Sequence, residues 1–127
     1  MWGRVRKALK GLDPVRVENR VEYGTPDVNL VGGEWLELKW VRKAPKRGGI
    51  LKIDHYTQEQ KTWCERREHA GGRVFVLLKV SQEWLLFSGH IAVKYLGKVS
   101  LEELRKVAIG KWVKTLNDNE LRILLTS

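Results

Sequence analysis

A chain of 127 residues has the size of one domain and can bury a core without metal or disulfide staples. Its single cysteine, Cys64, excludes an intramolecular disulfide framework and a cysteine-rich zinc module, which makes a reducing compartment, the cytoplasm, the expected location. Lys and Arg number 24 against 15 acids; this net charge of +9 points to an anionic partner, nucleic acid before membrane, and no apolar run approaches the ~18 residues of a membrane span.

The N-terminal MWGRVRKALKG has no apolar block or small-residue cleavage site of the secretory kind. Instead Trp2, Val5, Leu9 and Leu12 fall on one helical stripe, which Asp13-Pro14 ends. From Val15 the period becomes two. Val15, Val17 and Val21 alternate with Arg16, Glu18, Arg20 and Glu22, the pattern of a half-buried strand. Gly24-Thr25-Pro26 turns the chain into a strand from Asp27 to Val31, and Gly32-Gly33 turns it into another from Trp35 to Trp40. A basic loop, VRKAPKRGGILK, follows. Thr57 and Gln60 have capping-box spacing and predict a helix running to Gly71-Gly72. Arg73 to Val80 and Glu83 to Ser88 read as strands by their apolar density. Ser100 with Glu103 opens a helix with Leu101, Leu104, Val107 and Ala108 inward, and Asn117 with Glu120 opens a last one. The expected order is α-β-β-β-α-β-β-α-α, an α/β (α+β) domain spanning 1–127, with a core over about 1–88 and a helical extension over about 100–125.

The strand pair from Asp27 to Trp40 carries charges where a core-building strand would carry none. A tight Gly32-Gly33 hairpin would put Asp27 and Glu37 on opposite sides of the sheet. A three-residue loop of Gly32, Gly33 and Glu34 pairs Val31 with Trp35 and gathers Asp27, Asn29, Glu37 and Lys39 on one face. Val28, Leu30, Leu36, Leu38 and Trp40 then form the other face, an unbroken apolar set. The same sorting brings Glu18 to the acidic side, with Glu22 as the alternative.

Two readings of that patch are open: a solvated sheet face with Lys39 offsetting Glu37, or a catalytic centre. Carboxylates that repel one another accept a hard divalent ion such as Mg²⁺, which takes oxygen ligands and keeps several waters. A lysine on the same face can position a water or offset charge developing on a phosphoryl group.

Pro26-Asp27 followed by Glu37-Leu38-Lys39 resembles the signature of the PD-(D/E)XK nuclease superfamily. The longer strings RVENRVEYGTPDVNLV, WLELKW, HYTQEQKTW and GGRVFVLL are similar to small phage-encoded and archaeal-type Holliday junction resolvases and their VRR-NUC relatives. The resemblance implies a restriction-endonuclease-like α-β-β-β-α-β core with a mixed central sheet. It also implies Mg²⁺-dependent cleavage of DNA, with Mn²⁺ able to substitute, by a homodimer acting in recombination, in the host cytoplasm if phage-encoded. Asp27, Glu37 and Lys39 inherit the catalytic core. Archaeal resolvases take an additional glutamate from the N-terminal helix; no acid lies between Met1 and Leu12, so Glu18 is the substitute. Gln60 matches a glutamine near the site in these families, or is simply the capping-box partner of Thr57.

For DNA binding the candidates are Arg16, Arg20, Arg42, Lys43, Lys46, Arg47, Lys52, His55 and Gln60. The basic loop among them leaves the strand end that carries Lys39 and could hold phosphates beside the cut. Three functions remain open at this level: a resolvase of four-way junctions, a nuclease of the same chemistry acting on flaps, nicks or single strands, and a non-catalytic DNA-binding accessory protein.

Overall fold

The computed structural model describes residues 1–18 and 24–127. Six strands form one mixed sheet in chain order: β1 (Val15–Arg16), β2 (Val28–Asn29), β3 (Trp35–Val41), β4 (Val74–Val80), β5 (Glu83–Ser88) and β6 (Gly110–Val113). Neighbours are antiparallel except β3 and β4, which run parallel from Trp35↔Val74 to Val41↔Val80. A parallel pair needs a crossover, and α2 (Gln58–His69) provides it. The other helices among the described residues are α1 (Trp2–Ala8), α3 (Gly89–Tyr95), α4 (Leu101–Val107) and α5 (Asp118–Thr126). The expected α-β-β-β-α-β order is present from Trp2 to Val80, and no helix among the described residues is long and apolar enough to cross a membrane.

Each face of the sheet has its own core. On one, Leu36, Phe75, Leu77, Trp84 and Leu86 meet Val5, Ala8 and Leu9 of α1 and Leu121 and Leu125 of α5. On the other, Val76, Leu78, Leu85 and Phe87 meet Ala92 of α3 and Leu104 of α4. α2 contributes little apolar surface, with Trp63 and Cys64 its buried side chains, and Trp63 packs edge-on against Trp35 at 5.2 Å. This third cluster, with Val74, is small. The polar character of α2 leaves the central part of β3's second face for polar side chains.

Several elements depart from the expectation. The strand expected from Val15 is two residues long and exposed on both, so β1 is a thin edge; Arg20, Val21 and Glu22 lie outside the described residues. The C-terminal third is not purely helical, because β6 extends the sheet beyond β5. Helix α3 follows β5 directly. Its sequence, GHIAVKY, holds the β-branched Ile91 and Val93 and no capping box, so it gives no helix signal. Its first residue explains the tight seat on α2: a Cβ at Gly89 would collide with Cys64 and Glu68.

The β2–β3 hairpin uses a three-residue loop, but of Val31, Gly32 and Gly33. The Leu30 N–H donates to the Glu34 carbonyl at 2.9 Å, and Asn29 pairs with Trp35. This is a slip of two residues from the expected Val31↔Trp35 pairing. A shift of two preserves the side of every residue, so the sorting of faces stands while the cross-strand partners change.

Candidate active site

In the observed register Val28 pairs with Leu36, and the next step sets Asp27 across from Glu37. Two backbone features fix Asp27 there. Its Oδ2 accepts the Leu38 N–H at 2.8 Å, and its carbonyl accepts the Val17 N–H at 2.8 Å. The turn before it is pinned by Gly24, whose φ of +90° suits glycine and whose missing Cβ lets the chain lie against the backbone of Glu59 in α2.

Glu37 and Lys39 follow on the same face of β3 by the two-residue strand period. Both are buried, each side chain being 6% exposed, with Lys39 Nζ 3.8 Å from Glu37 Oε1. Lys39 Nζ donates to the His55 carbonyl at 2.7 Å and to Gln60 Oε1 at 3.0 Å. Gln60 Oε1 also accepts the Thr57 N–H, and the Gln60 N–H donates to Thr57 Oγ1, so the full capping box forms. Both readings of Gln60 hold at once: one amide oxygen caps α2 and holds the lysine.

Burial pushes the Glu37 carboxyl up to about 9, and the hydrogen bond and negative charge of Asp27 add to that. Burial pushes the Lys39 ammonium down, against the attraction of Glu37 and Asp27. Glu37 and Lys39 thus share a desolvated place, with the half-buried Asp27 at its side, in which neither of the two holds its charge easily.

The side chains open on a cavity of about 380 Å³. Asp27, Glu37, Lys39, Arg16, His55 and Gln60 line it, together with Met1, Trp2, Leu38 and Trp40. Arg16 reaches Asp27 at 3.7 Å and lies over the Trp2 ring at 5.5 Å. His55, with φ of 61°, contributes its backbone carbonyl to Lys39.

Glu18 is not gathered in. It is exposed, lies beyond β1 and is not among the residues lining the cavity. The pairing Val15↔Asn29 gives the acidic face of the sheet to Val15, so the alternation that was to carry Glu18 there runs the other way. Glu22, the alternative, falls outside the described residues, as does Arg20. Among the described residues no group of three or more His, Cys, Asp or Glu is placed to hold a metal; Asp27 and Glu37 converge as a pair. A pair of carboxylates suits Mg²⁺, which keeps most of its waters.

The basic loop lies elsewhere. Arg42, Lys43, Lys46 and Arg47 are exposed and line no part of the cavity. Residues 44–49 border α4 instead, and Ile50 bridges to Ser100. Two other basic hollows stand out. One, about 610 Å³, is lined by Arg6, Lys7 and Lys10 of the α1 segment with Gly3, Gly11, Asp13 and Pro14. The other, about 450 Å³, gathers Lys52, Lys61 and Lys98 around Asp54 and Tyr56. No sequence motif groups Arg6, Lys7 and Lys10 or Lys52, Lys61 and Lys98 in this way; the fold does, and of these Lys61 is tied to the site through Tyr56, whose ring stands 5.4 Å from Lys39 Nζ and 5.1 Å from Lys61 Nζ.

Comparison with protein-family models and with curated proteins finds no match to either.

Proposed function

We propose that this protein is a Mg²⁺-dependent DNA endonuclease that cuts phosphodiester bonds in branched DNA, four-way junctions above all, and works as a homodimer. The observation that carries the reading is the convergence of Asp27, just ahead of β2, with Glu37 and Lys39 of β3 in one cavity, the arrangement that the Pro-Asp and Glu-Leu-Lys segments imply. A sheet face that merely met solvent would not bury Glu37 and Lys39 together.

Asp27 and Glu37 would hold the cation. When bound, Mg²⁺ supplies polarisation of a phosphoryl oxygen and a more acidic water. Asp27 is held for this by the Leu38 N–H, and its second oxygen faces Arg16. Lys39 has two of its donors engaged by His55 and Gln60, which aims the amine toward Glu37 and the cavity. Its lowered affinity for protons suits it to receive a proton from the attacking water; in its charged form it offsets charge building on the phosphoryl oxygens. Arg16, at the cavity, suits contact with a neighbouring phosphate. The hollows of Arg6, Lys7 and Lys10 and of Lys52, Lys61 and Lys98 would carry the backbone away from the cut. A two-fold dimer would match the two-fold symmetry of a four-way junction.

The test compares a labelled four-way junction with a flap, a nicked duplex, a single strand and an intact duplex, in Mg²⁺ and in EDTA, for wild type and Asp27→Ala. Cleavage of the junction above the others, dependent on Mg²⁺ and lost in the variant, is expected. Equal cutting of all substrates would reject junction selectivity, and activity in EDTA or in Asp27→Ala would reject the chemistry.

A further inference from the structure

β3 grows steadily more exposed along its apolar side: Leu36 is fully buried, Leu38 is half-buried, and Trp40 is 61% exposed. The helices α1 and α5 cover this side only part of the way, and Trp40 is absent from the side chains packed against their core. Tryptophan carries the largest flat apolar face of any side chain, and at Trp40 that face is open to a ligand. Its place is specific. Strand alternation turns Trp40 to the apolar side of β3, away from Lys39, yet it lines the same cavity as Asp27, Glu37 and Arg16.

A protein partner is a poor fit to this surface. Hot-spot aromatics sit within apolar patches, and the other large exposed apolar residues lie apart from Trp40. Val15 is level with Trp35, five residues up the sheet, about 16 Å away at the strand rise. Val31 is in the β2–β3 loop beyond Trp35, Ile109 and Val113 are at β6 on the far edge, Ile123 is on α5, and Ile50 is beside α4. In the cavity Trp40 lies with the apolar Met1, Trp2 and Leu38, but these are interleaved with Arg16, Asp27, Glu37 and Lys39, so the surface is mixed and not an apolar patch. A flat aromatic face beside cations and a place for a phosphate is the combination that binds a nucleotide, the ring stacking on the base while the cations meet the backbone.

We infer that Trp40 is a base-stacking platform for the nucleotide next to the scissile phosphate. The inference rests on the nuclease reading of the cavity and narrows its substrate class. A base inside a continuous duplex has both faces taken by its neighbours and must leave the stack to reach a side chain. Substrates with an unpaired or unstacked base at the cut therefore gain from Trp40, whereas uninterrupted duplex does not. Branch points, flaps and single strands share that feature.

The experiment uses two substrates of one sequence, a continuous duplex and the same duplex with an unpaired 2-aminopurine at the cut site, with wild type, Trp40→Phe and Trp40→Ala. Cleavage is measured in Mg²⁺; binding is measured in EDTA by polarisation and by 2-aminopurine quenching. Trp40→Ala is expected to lose about tenfold in affinity and in kcat/KM for the unpaired substrate, in the range of one stacked base. Its effect on the continuous duplex should be several-fold smaller, while Trp40→Phe keeps most of the preference. Equal behaviour of Trp40→Ala and wild type on the unpaired substrate overturns the inference. So does a loss shared equally by both substrates; a change in sedimentation alongside it would assign Trp40 to a protein contact. If wild type cuts neither substrate but Trp40→Ala loses the binding preference and the quenching, the platform stands and the catalytic reading falls.

Discussion

Gln60 Oε1 accepts hydrogen bonds from both Lys39 Nζ and the Thr57 N–H, each at 3.0 Å, so the device that starts α2 also holds the amine of the site. The crossover helix cannot shift along its axis without moving Lys39's partner. This joins a local sequence signal, the capping box, to the placement of a buried cation on a strand twenty-one residues earlier.

Gln60→Glu keeps an acceptor at the third helical position and places a negative charge against Lys39. Opposite charge favours the ammonium, reversing part of the depression caused by burial. If the neutral amine is the active form, the rising limb of the cleavage rate against pH moves to higher pH, and α2 is retained by circular dichroism. Gln60→Ala removes the side-chain half of the box and costs about 1 kcal/mol of stability. An unmoved pH profile in Gln60→Glu would count against Lys39 as the titrating group.

Lys39→Met replaces a 6% exposed ammonium with an apolar side chain of similar length. The desolvation relieved by removing the charge opposes the hydrogen bonds lost at the His55 carbonyl and Gln60 Oε1, so the thermal midpoint is expected to change little. Cleavage is expected to fall by at least about 100-fold, the scale of a lost proton-transfer or electrostatic group. A variant that is markedly less stable would mean that the amine is structural.

Glu37 makes metal-free stability depend on pH. Its folded affinity for protons, near 9, lies above the ordinary 4.5, so between those values the folded chain holds a proton that the unfolded chain has released. Stability from this group is then complete below about pH 4.5 and declines as pH rises toward 9, by up to about 1.4 kcal/mol per unit. Lys39, shifted down, gives the opposite slope at high pH. Denaturation in EDTA of Lys39→Met against Lys39→Met/Glu37→Gln isolates the carboxyl: the decline should vanish in the double variant. Mg²⁺ should stabilise wild type increasingly as pH rises, because the ion displaces that proton.

The pattern of residues made the site legible, while pairing details stayed hidden. Face sorting needs only parity, and the two-residue slip of the hairpin left Asp27, Glu37 and Lys39 together although Asp27 opposes Glu37 and not Lys39. Side-chain alternation says nothing of where a loop closes; the Leu30–Glu34 bond decides that. Glu18 illustrates the limit. The alternating valines predict an inward face, but Val15 is 51% exposed on an edge strand, so hydrophobicity there marks no core. Capping boxes at Thr57, Ser100 and Asn117 located three helices because each is a local hydrogen-bond motif, and their backbone bonds are present. β6 is four residues long, and its assignment depends on pairing with β5, which no local signal encodes.

Charge density in the sequence singles out the loop of Arg42 to Lys52, whereas the fold gathers Lys7 and Lys10 with Arg6 in a hollow along α1. Ion pairs among the described residues engage Arg4 with Asp118 and Arg16 with Asp27, and none engages Lys7 or Lys10, so both amines are available to an outside anion. Each phosphate neutralised on binding duplex releases counterion and steepens the dependence of affinity on salt by about 0.9 in the logarithmic slope. Lys7→Ala/Lys10→Ala should therefore flatten that slope by about 2 and weaken binding at low salt on every DNA sequence alike. Lys46→Ala/Arg47→Ala, in the segment that borders α4, should flatten it by less than about 1. Titrations of labelled duplex between about 50 and 200 mM salt give both slopes. The reverse order would place the backbone along the loop and the C-terminal end of β3, and would leave the hollow under α1 without a part in binding.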